Sequence, residues 1–402
     1  MPYYRAVGEI PRKRHTQFRS PDGGLYAEEL MGVEGFSSDS ALLYHRNLPT
    51  AIVNAEEVPD AGREAAPNLP LKPRHFRTQD LKWEDVDAVD AVTGRRQLFA
   101  NADVSICFVA ASAPSPLYRN AFGDELLYVQ AGSGVIETIY GALTVGHGDY
   151  VVLPTSTTYR VVPEGPSGAG VPQEPVRLLV LEATGHIGPP RRYLAAKGQF
   201  LEHAPYCERD LRGPVAPLIV DGTDVPVLVR HRAGLTRFTY AHHPFDVVGW
   251  DGCLYPWTFN IRDFEPITGR VHLPPPMHQT FEGPNFVVCS FCPRKVDYHP
   301  LAIPVPYNHA NVDSDELMFY VGGNYEARRG SGIGIGSMSL HPSGCTHGPA
   351  PGAVEAALGA DHFDETAVMV DTFRPLQLGA AAGECEDPRY AWSWARRGPD
   401  WD

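Results

Sequence analysis

One motif occurs twice in this chain, once with metal-ligand residues around it and once without. Residues 124–132 read DELLYVQAG and residues 315–323 read DELMFYVGG. Downstream, GDYVVLPTSTTY (148–159) parallels GSMSLHPSGCTH (336–347). A single offset relates Tyr118 to His309 and Glu125 to Glu316, and a slightly shorter one relates Gly148 to Gly336, Pro154 to Pro342 and Tyr159 to His347. The second copy therefore places His309, Glu316 and His347 where the first has Tyr118, Glu125 and Tyr159. Two imidazoles and a carboxylate suit a three-ligand iron site with open positions. Tyr, Glu and Tyr do not. The repeat predicts a duplicated β-structure with one metal centre, in its second half.

The text around the repeats supports that architecture. Runs such as VSICFVAAS, ELLYVQAGSGVIETIY, GALTVGHGDYVVLP and VRLLVLEA are short, β-rich and broken by Gly, Pro and Asp, the pattern of an antiparallel sandwich or barrel. Gly 39 and Pro 38 favour turns over long helices. The expected organisation is an irregular N-terminal region over 1–100 that wraps the barrels, a metal-free first barrel with a connector over 101–265, and a second barrel with the metal site and a C-terminal tail over 266–402. Within the connector, RRYLAAKGQF suggests a short helix.

Composition excludes several function classes. A formal net charge of −14 argues against a nucleic-acid partner, which would need clustered Lys and Arg. No run approaches the ~18 apolar residues of a membrane helix, and the basic N-terminal segment has no apolar stretch behind it, so no signal peptide is expected. A cytoplasmic location follows as an expectation. The seven cysteines are scattered and suggest no disulfide framework. Cys289 and Cys292 form a CxxC, but within a strand they point to opposite faces.

The spacing His309-x6-Glu316 does not keep both side chains on one face of a continuous strand, so a turn must intervene, and Asn311–Asp315 supplies turn residues. The third ligand, His347, belongs to an antiparallel partner strand. A lone histidine in this region would read as a hydrogen-bonded core residue; the trio placed by the repeat reads as metal ligands. His341, six residues before His347, shares its strand face and is a candidate for orienting substrate or a ligand imidazole.

Glu125-x6-Gly132, Glu316-x6-Gly323 and Gly148-Asp149…Pro154 resemble the cupin barrel motifs. LYAEELMG (25–32), ALLYHRNLP (41–49), FDVVGWDG (245–252), Tyr325-Glu326-Ala327-Arg328 and His347-Gly348-Pro349 narrow the likeness, in order along most of the chain, to the homogentisate 1,2-dioxygenase family. This resemblance implies two cupin-type antiparallel barrels and an Fe(II) enzyme that uses O2 to convert homogentisate, a small aromatic acid, to maleylacetoacetate in tyrosine and phenylalanine catabolism. His309, Glu316 and His347 fall on its iron ligands, His278 on an acid/base at the ring hydroxyl, and Tyr325 on a substrate contact. His347 also lies beside the substrate. A homo-oligomer, a hexamer built from trimers, is implied as well. Arg328 and Tyr325 are candidates for the substrate carboxylate. The chain departs from the family pattern by one extra residue between His309 and Glu316, and by Leu273–Met277, a Pro-rich approach to His278. Other readings stay open at this point: a cupin dioxygenase acting on another dihydroxy-aromatic such as gentisate, a metal-dependent sugar isomerase, or a two-barrel binding protein.

Overall fold

The computed structural model describes residues 3–165, 174–328 and 330–398; the last four residues of the expected C-terminal tail lie outside them. The chain divides into two units that interleave in sequence. The first comprises Met1–Ala61, Trp83–Arg95 and Phe108–Asn260, and the second Gly62–Lys82, Arg96–Cys107 and Ile261–Asp402. Both are built from β-strands, in agreement with the mainly β, duplicated cupin-type fold expected. Among the described residues no helix is long and apolar enough to cross a membrane, and the cysteines are free thiols.

In the first unit, Leu211–Arg212, Trp257–Asn260, Asp149–Leu153, Glu125–Ala131 and Val176–Ala183 lie side by side in that order. A seven-stranded sheet runs Gly141–Val145, Gly134–Thr138, Thr158–Pro163, Leu117–Asn120, Val225–His231, Gly234–Tyr240, Ile52–Val58. Its pairing is antiparallel except between Val225–His231 and Leu117–Asn120. In the second unit, one antiparallel sheet orders Gln279–Gly283, Phe286–Phe291, Glu365–Thr372, Asp315–Gly323, Ser337–His341, Arg74–Arg77 and Glu386–Asp387. One face of the central strands is apolar: Val368, Val370, Leu317, Phe319, Met338 and Leu340 stand opposite one another on it and are all buried.

The N-terminal hundred residues hold more regular structure than their text suggests. Arg5–Gly8, Ala27–Gly32 and Ser40–His45 join Val247–Gly252 in a four-stranded sheet. These strands are short; Arg5–Gly8 and Ser40–His45 pair with a strand distant in sequence, and Ala27–Gly32 pairs with Ser40–His45, so local propensity reveals them poorly. In the connector, RRYLAAKGQF forms a single 3-10 turn at Arg191–Tyr193 and then a bridge from Leu194 to Phe200. Two prolines precede the turn and Gly198 interrupts it with φ +87°, which leaves no room for an α-helix.

The repeat has a structural meaning residue by residue. Asp124 and Asp315 open equivalent strands and brace the loop that follows the repeat proline. Asp124 accepts from the Thr155 and Ile187 backbone N–H groups, and Asp315 from those of Ser343 and Leu376. Such charge-assisted bonds to otherwise buried amides fix where the loop leaves the sheet. At the far end, Gly132 and Gly323 both adopt φ +75°, and a Cβ there would meet Pro175 O at 2.7 Å and Asp364 O at 1.7 Å. The glycine of Glu-x6-Gly is demanded by backbone geometry, not by chemistry.

Candidate metal centre

His309 and His347 come from two loops that meet as an isolated antiparallel bridge, each backbone N–H donating to the other's carbonyl at 2.8 Å. The approach is close because Gly348 has no side chain: a Cβ would lie 2.1 Å from Asn308 Oδ1 and 2.7 Å from its Cα. Glu316 is the second residue of Asp315–Gly323. As the spacing required, residues 311–314 form no strand between His309 and Glu316. The strand Ser337–His341 ends before His347, which the following loop delivers.

One ligand atom from each of His309, Glu316 and His347 lies within 4.8 Å of the others. His309 Nε2 is 3.5 Å from Glu316 Oε2, and His347 Nε2 is 3.4 Å from Glu316 Oε1. The Nδ1 atoms bond the carbonyls of Tyr307 and Cys345, at 3.1 and 3.0 Å. Each Nδ1 must donate there, so each Nε2 carries the lone pair and faces the carboxylate. His347 Nε2 is buried without a hydrogen-bond partner. Two imidazoles that turn Nε2 toward one carboxylate make a donor set that fits a divalent metal.

The carboxylate sits in a row of titratable groups. Glu316 pairs in register with Asp371 on one side and His341 on the other, and directly opposed residues share a face of the sheet. His341 Nδ1 is 3.0 Å from Glu316 Oε1 and its Nε2 is 2.9 Å from the Tyr390 hydroxyl. Burial, then the Arg328 guanidinium, push His341 down to about 3, so it is neutral: Nδ1–H donates to Glu316 and Nε2 accepts from Tyr390. Its ring stacks on His347 with centroids 4.0 Å apart and 15° between planes. Burial works against charge on Glu316, but its bonds with His309, His341 and His347 hold it well below the usual carboxylate range. Burial, and next the charge of Glu316, push Asp371 up to about 8.

A cavity of about 510 Å³ opens onto the centre, lined by His278, His309, Glu316, Tyr325, Arg328 and Asp371 among others. His278 ends the 3-10 turn Pro275–His278, with its ring on Phe291 at 4.6 Å. Burial, then Arg294, push it down to about 3, while its ring donates to the Ser290 carbonyl. Nδ1 is left as an acceptor without a partner. The Tyr325 hydroxyl and Asp371 Oδ1 are likewise out of solvent and unpartnered. Arg328 donates to the Gly348 carbonyl at 2.5 Å and lies over Trp394 at 5.5 Å. His341 is apart from these groups, fully buried behind the carboxylate. Buried polar atoms in proteins are nearly always paired, so a set of them without partners around one cavity marks a place where a ligand completes the bonds.

Family models for the homogentisate 1,2-dioxygenase N-terminal and C-terminal regions match residues 4–261 and 275–396. The chain belongs to the homogentisate 1,2-dioxygenase family. It is 36% identical over 398 residues to a candidate dioxygenase of Saccharolobus solfataricus, covering 98% of this chain and 99% of that one. To the homogentisate 1,2-dioxygenase of Emericella nidulans it is 28% identical over 386 residues, covering 88% and 81%. A cupin 2 conserved barrel domain protein from Leptotrichia buccalis aligns at a TM-score of 0.36 with 10% identity, covering 76% of this chain and 99% of that one. Membership in this family makes the chain a dioxygenase, with a small-molecule substrate and O2 as reactants.

The sequence pointed to His309, Glu316, His347, His341, His278, Tyr325 and Arg328; all line one cavity except His347 and His341, which lie against Glu316. It missed Asp371 and Tyr390. Asp371 was readable only as part of a β-run, ETAVMVDT, and its meaning depends on strand register. Tyr390 lies in the C-terminal tail, with no local signal linking it to His341.

Proposed function

We propose that this chain is an Fe(II)-dependent dioxygenase that opens the ring of homogentisate with O2 to give maleylacetoacetate. The observation that carries the reading is the coincidence at one cavity of a two-His, one-carboxylate set with inward lone pairs and of unpartnered polar atoms on His278, Tyr325 and Asp371. His309, Glu316 and His347 would hold the metal, and bound Fe(II) supplies the one-electron route that lets triplet O2 react with a closed-shell ring.

The remaining chemistry belongs to the side chains. Two imidazoles and one carboxylate would leave a bound divalent ion with a net positive charge, which would attract a ring oxygen of the substrate. His278, neutral and with Nδ1 free, accepts a hydrogen bond from the second ring hydroxyl, and drawing that proton toward Nδ1 raises the ring's electron density. Tyr325 donates its hydroxyl to substrate oxygen, and Arg328 supplies the cation for the carboxylate arm. Phe291, Met318 and Met369 give the cavity an apolar wall that orients a ring and keeps water from it. His341 acts through Glu316 and not on substrate.

The test is anaerobic reconstitution with Fe(II) and ascorbate, followed by O2 uptake with homogentisate beside gentisate. Stoichiometric uptake with homogentisate, lost together with bound iron in His309→Ala, is the expected result. Uptake with gentisate alone would move the substrate, and no uptake with either in iron-loaded protein would overturn the reaction. His278→Ala should slow turnover by about 10²–10⁴-fold with iron retained; full activity would remove its role.

A further inference from the structure

We propose that Asp371 is a substrate-contacting residue whose free carboxyl oxygen holds the ring hydroxyl lying on the Glu316 side of the cavity. This deepens the function proposed above and rests on it. Asp371 stands directly opposite Glu316 on the neighbouring strand Glu365–Thr372 and lines the cavity. Its Oδ1 is out of solvent and has no hydrogen-bond partner among the described residues. Nor does it belong to the group of ligand atoms gathered at His309, Glu316 and His347.

The other half of the repeat shows what such a carboxylate needs. Glu125, the counterpart of Glu316, stands opposite Glu182. There Arg95 Nη1 donates to both, at 2.6 Å each. Asp371 occupies the place of Glu182, but the cavity residues on its own strand, Met369 and Ala367, and Met318 beside Glu316 have no N–H or O–H to offer. Its partner must arrive with the ligand. A ring oxygen is a partner of the right kind. A substrate carboxylate is not, since two protein carboxyl groups already stand side by side there. The pair thus sets the orientation of the bound ring, with a hydroxyl edge toward Glu316 and Asp371 and the acidic arm toward Arg328 and Tyr325.

The experiment measures binding without turnover. Fe(II)-loaded, O2-free wild-type, Asp371→Ala and Asp371→Asn proteins are titrated with homogentisate, 2-hydroxyphenylacetate and 3-hydroxyphenylacetate, and bound iron is measured in each. Asp371→Ala should weaken homogentisate by roughly 3- to 10-fold, the range for a single hydrogen bond of an uncharged carboxyl group. One monohydroxy analogue, the one that keeps the contacted hydroxyl, should show the same loss. The other should bind wild type and variant alike, because it lacks the group that Asp371 holds. Asp371→Asn, which keeps an acceptor of the same size, should restore part of the affinity at unchanged iron content. Equal loss for all three ligands would show a packing effect and overturn the assignment, as would no loss for any. If wild-type protein fails to bind homogentisate, the parent reading falls and takes this one with it. If wild type binds and the analogues respond uniformly, only the role of Asp371 falls.

Discussion

The two halves of the repeat share a register and differ in what closes it. Tyr118 pairs with Tyr159 in the first unit as His309 pairs with His347 in the second. Glu125 stands opposite Glu182 as Glu316 stands opposite Asp371. In the first unit the cation is part of the chain. Arg95, buried, bonds both carboxylates, and its Nη2 reaches the Tyr159 hydroxyl at 2.7 Å. That hydroxyl donates to Glu125 at 2.6 Å, and the guanidinium lies over the Tyr118 ring at 5.3 Å. In the second unit no such guanidinium bridges the pair among the described residues; two imidazoles and a cavity stand in its place. The same row of buried acids is thus a closed ion network in one unit and an open site in the other. The difference teaches that the acid pair is inherited by the fold, while the identity of the cation that satisfies it decides between structure and chemistry.

The largest effect should come from removing the first unit's cation. Arg95→Met leaves two buried carboxylates facing each other and should lower the unfolding free energy by about 3–5 kcal/mol, read as the shift of a urea midpoint. Adding Glu125→Gln and Glu182→Gln should recover most of that loss, because an uncharged trio has no uncompensated charge. A loss well under 1 kcal/mol would break the comparison. It would be sharpened if the Arg95 variant took up a second equivalent of divalent metal, since the guanidinium would then be what keeps the first centre metal-free.

A smaller effect tests whether the first unit's other buried charge is also structural. His45 bonds Asp246 at 2.7 Å and Glu29 at 2.9 Å. Burial opposes its charge, but these two carboxylates push it up to about 9 from an ordinary value of 6.5. A raised value in the folded state means that the stabilisation is complete below about 6.5 and disappears as pH rises through about 9. The stability difference between wild type and His45→Gln should therefore be on the order of 2 kcal/mol larger at pH 6 than at pH 10. A difference that does not change with pH would show that His45 is held neutral.

What the sequence disclosed follows the same division. The cluster of His309, Glu316 and His347 was legible because Glu316 repeats Glu125 at a fixed offset and His309 and His347 interrupt a pattern otherwise kept. Asp124, Asp315, Gly132 and Gly323 were legible as motif, and the structure supplies their backbone reasons. Arg95 was not, because it lies outside the repeat and its role exists only where strands far apart in sequence converge. Asp371 was hidden for a related reason: strand register, which decides what stands opposite Glu316, is a tertiary property. Arg5–Gly8 and Ser40–His45 escaped notice because their partner, Val247–Gly252, is about two hundred residues away in a chain read locally.

The smallest effect concerns the side of Glu316 away from Asp371. In the first unit Leu153 stands opposite Glu125; in the second that position is His341, which connects Glu316 to Tyr390. A leucine suffices where the carboxylate is held by Arg95, whereas a carboxylate that must hold a metal gains from a donor that fixes its rotation. Tyr390→Phe removes the hydroxyl but keeps the ring packed on Trp394, 5.3 Å away. Freed from Tyr390, His341 can change tautomer, and the affinity for Fe(II) should fall about 10-fold, at the low end for groups that orient a ligand. A competition titration against a chelator measures this without turnover. His341→Leu, which copies the first unit, should lose at least as much. Unchanged affinity in both variants would mean that Glu316 is positioned by the strand alone, and the contrast between Leu153 and His341 would then carry no function.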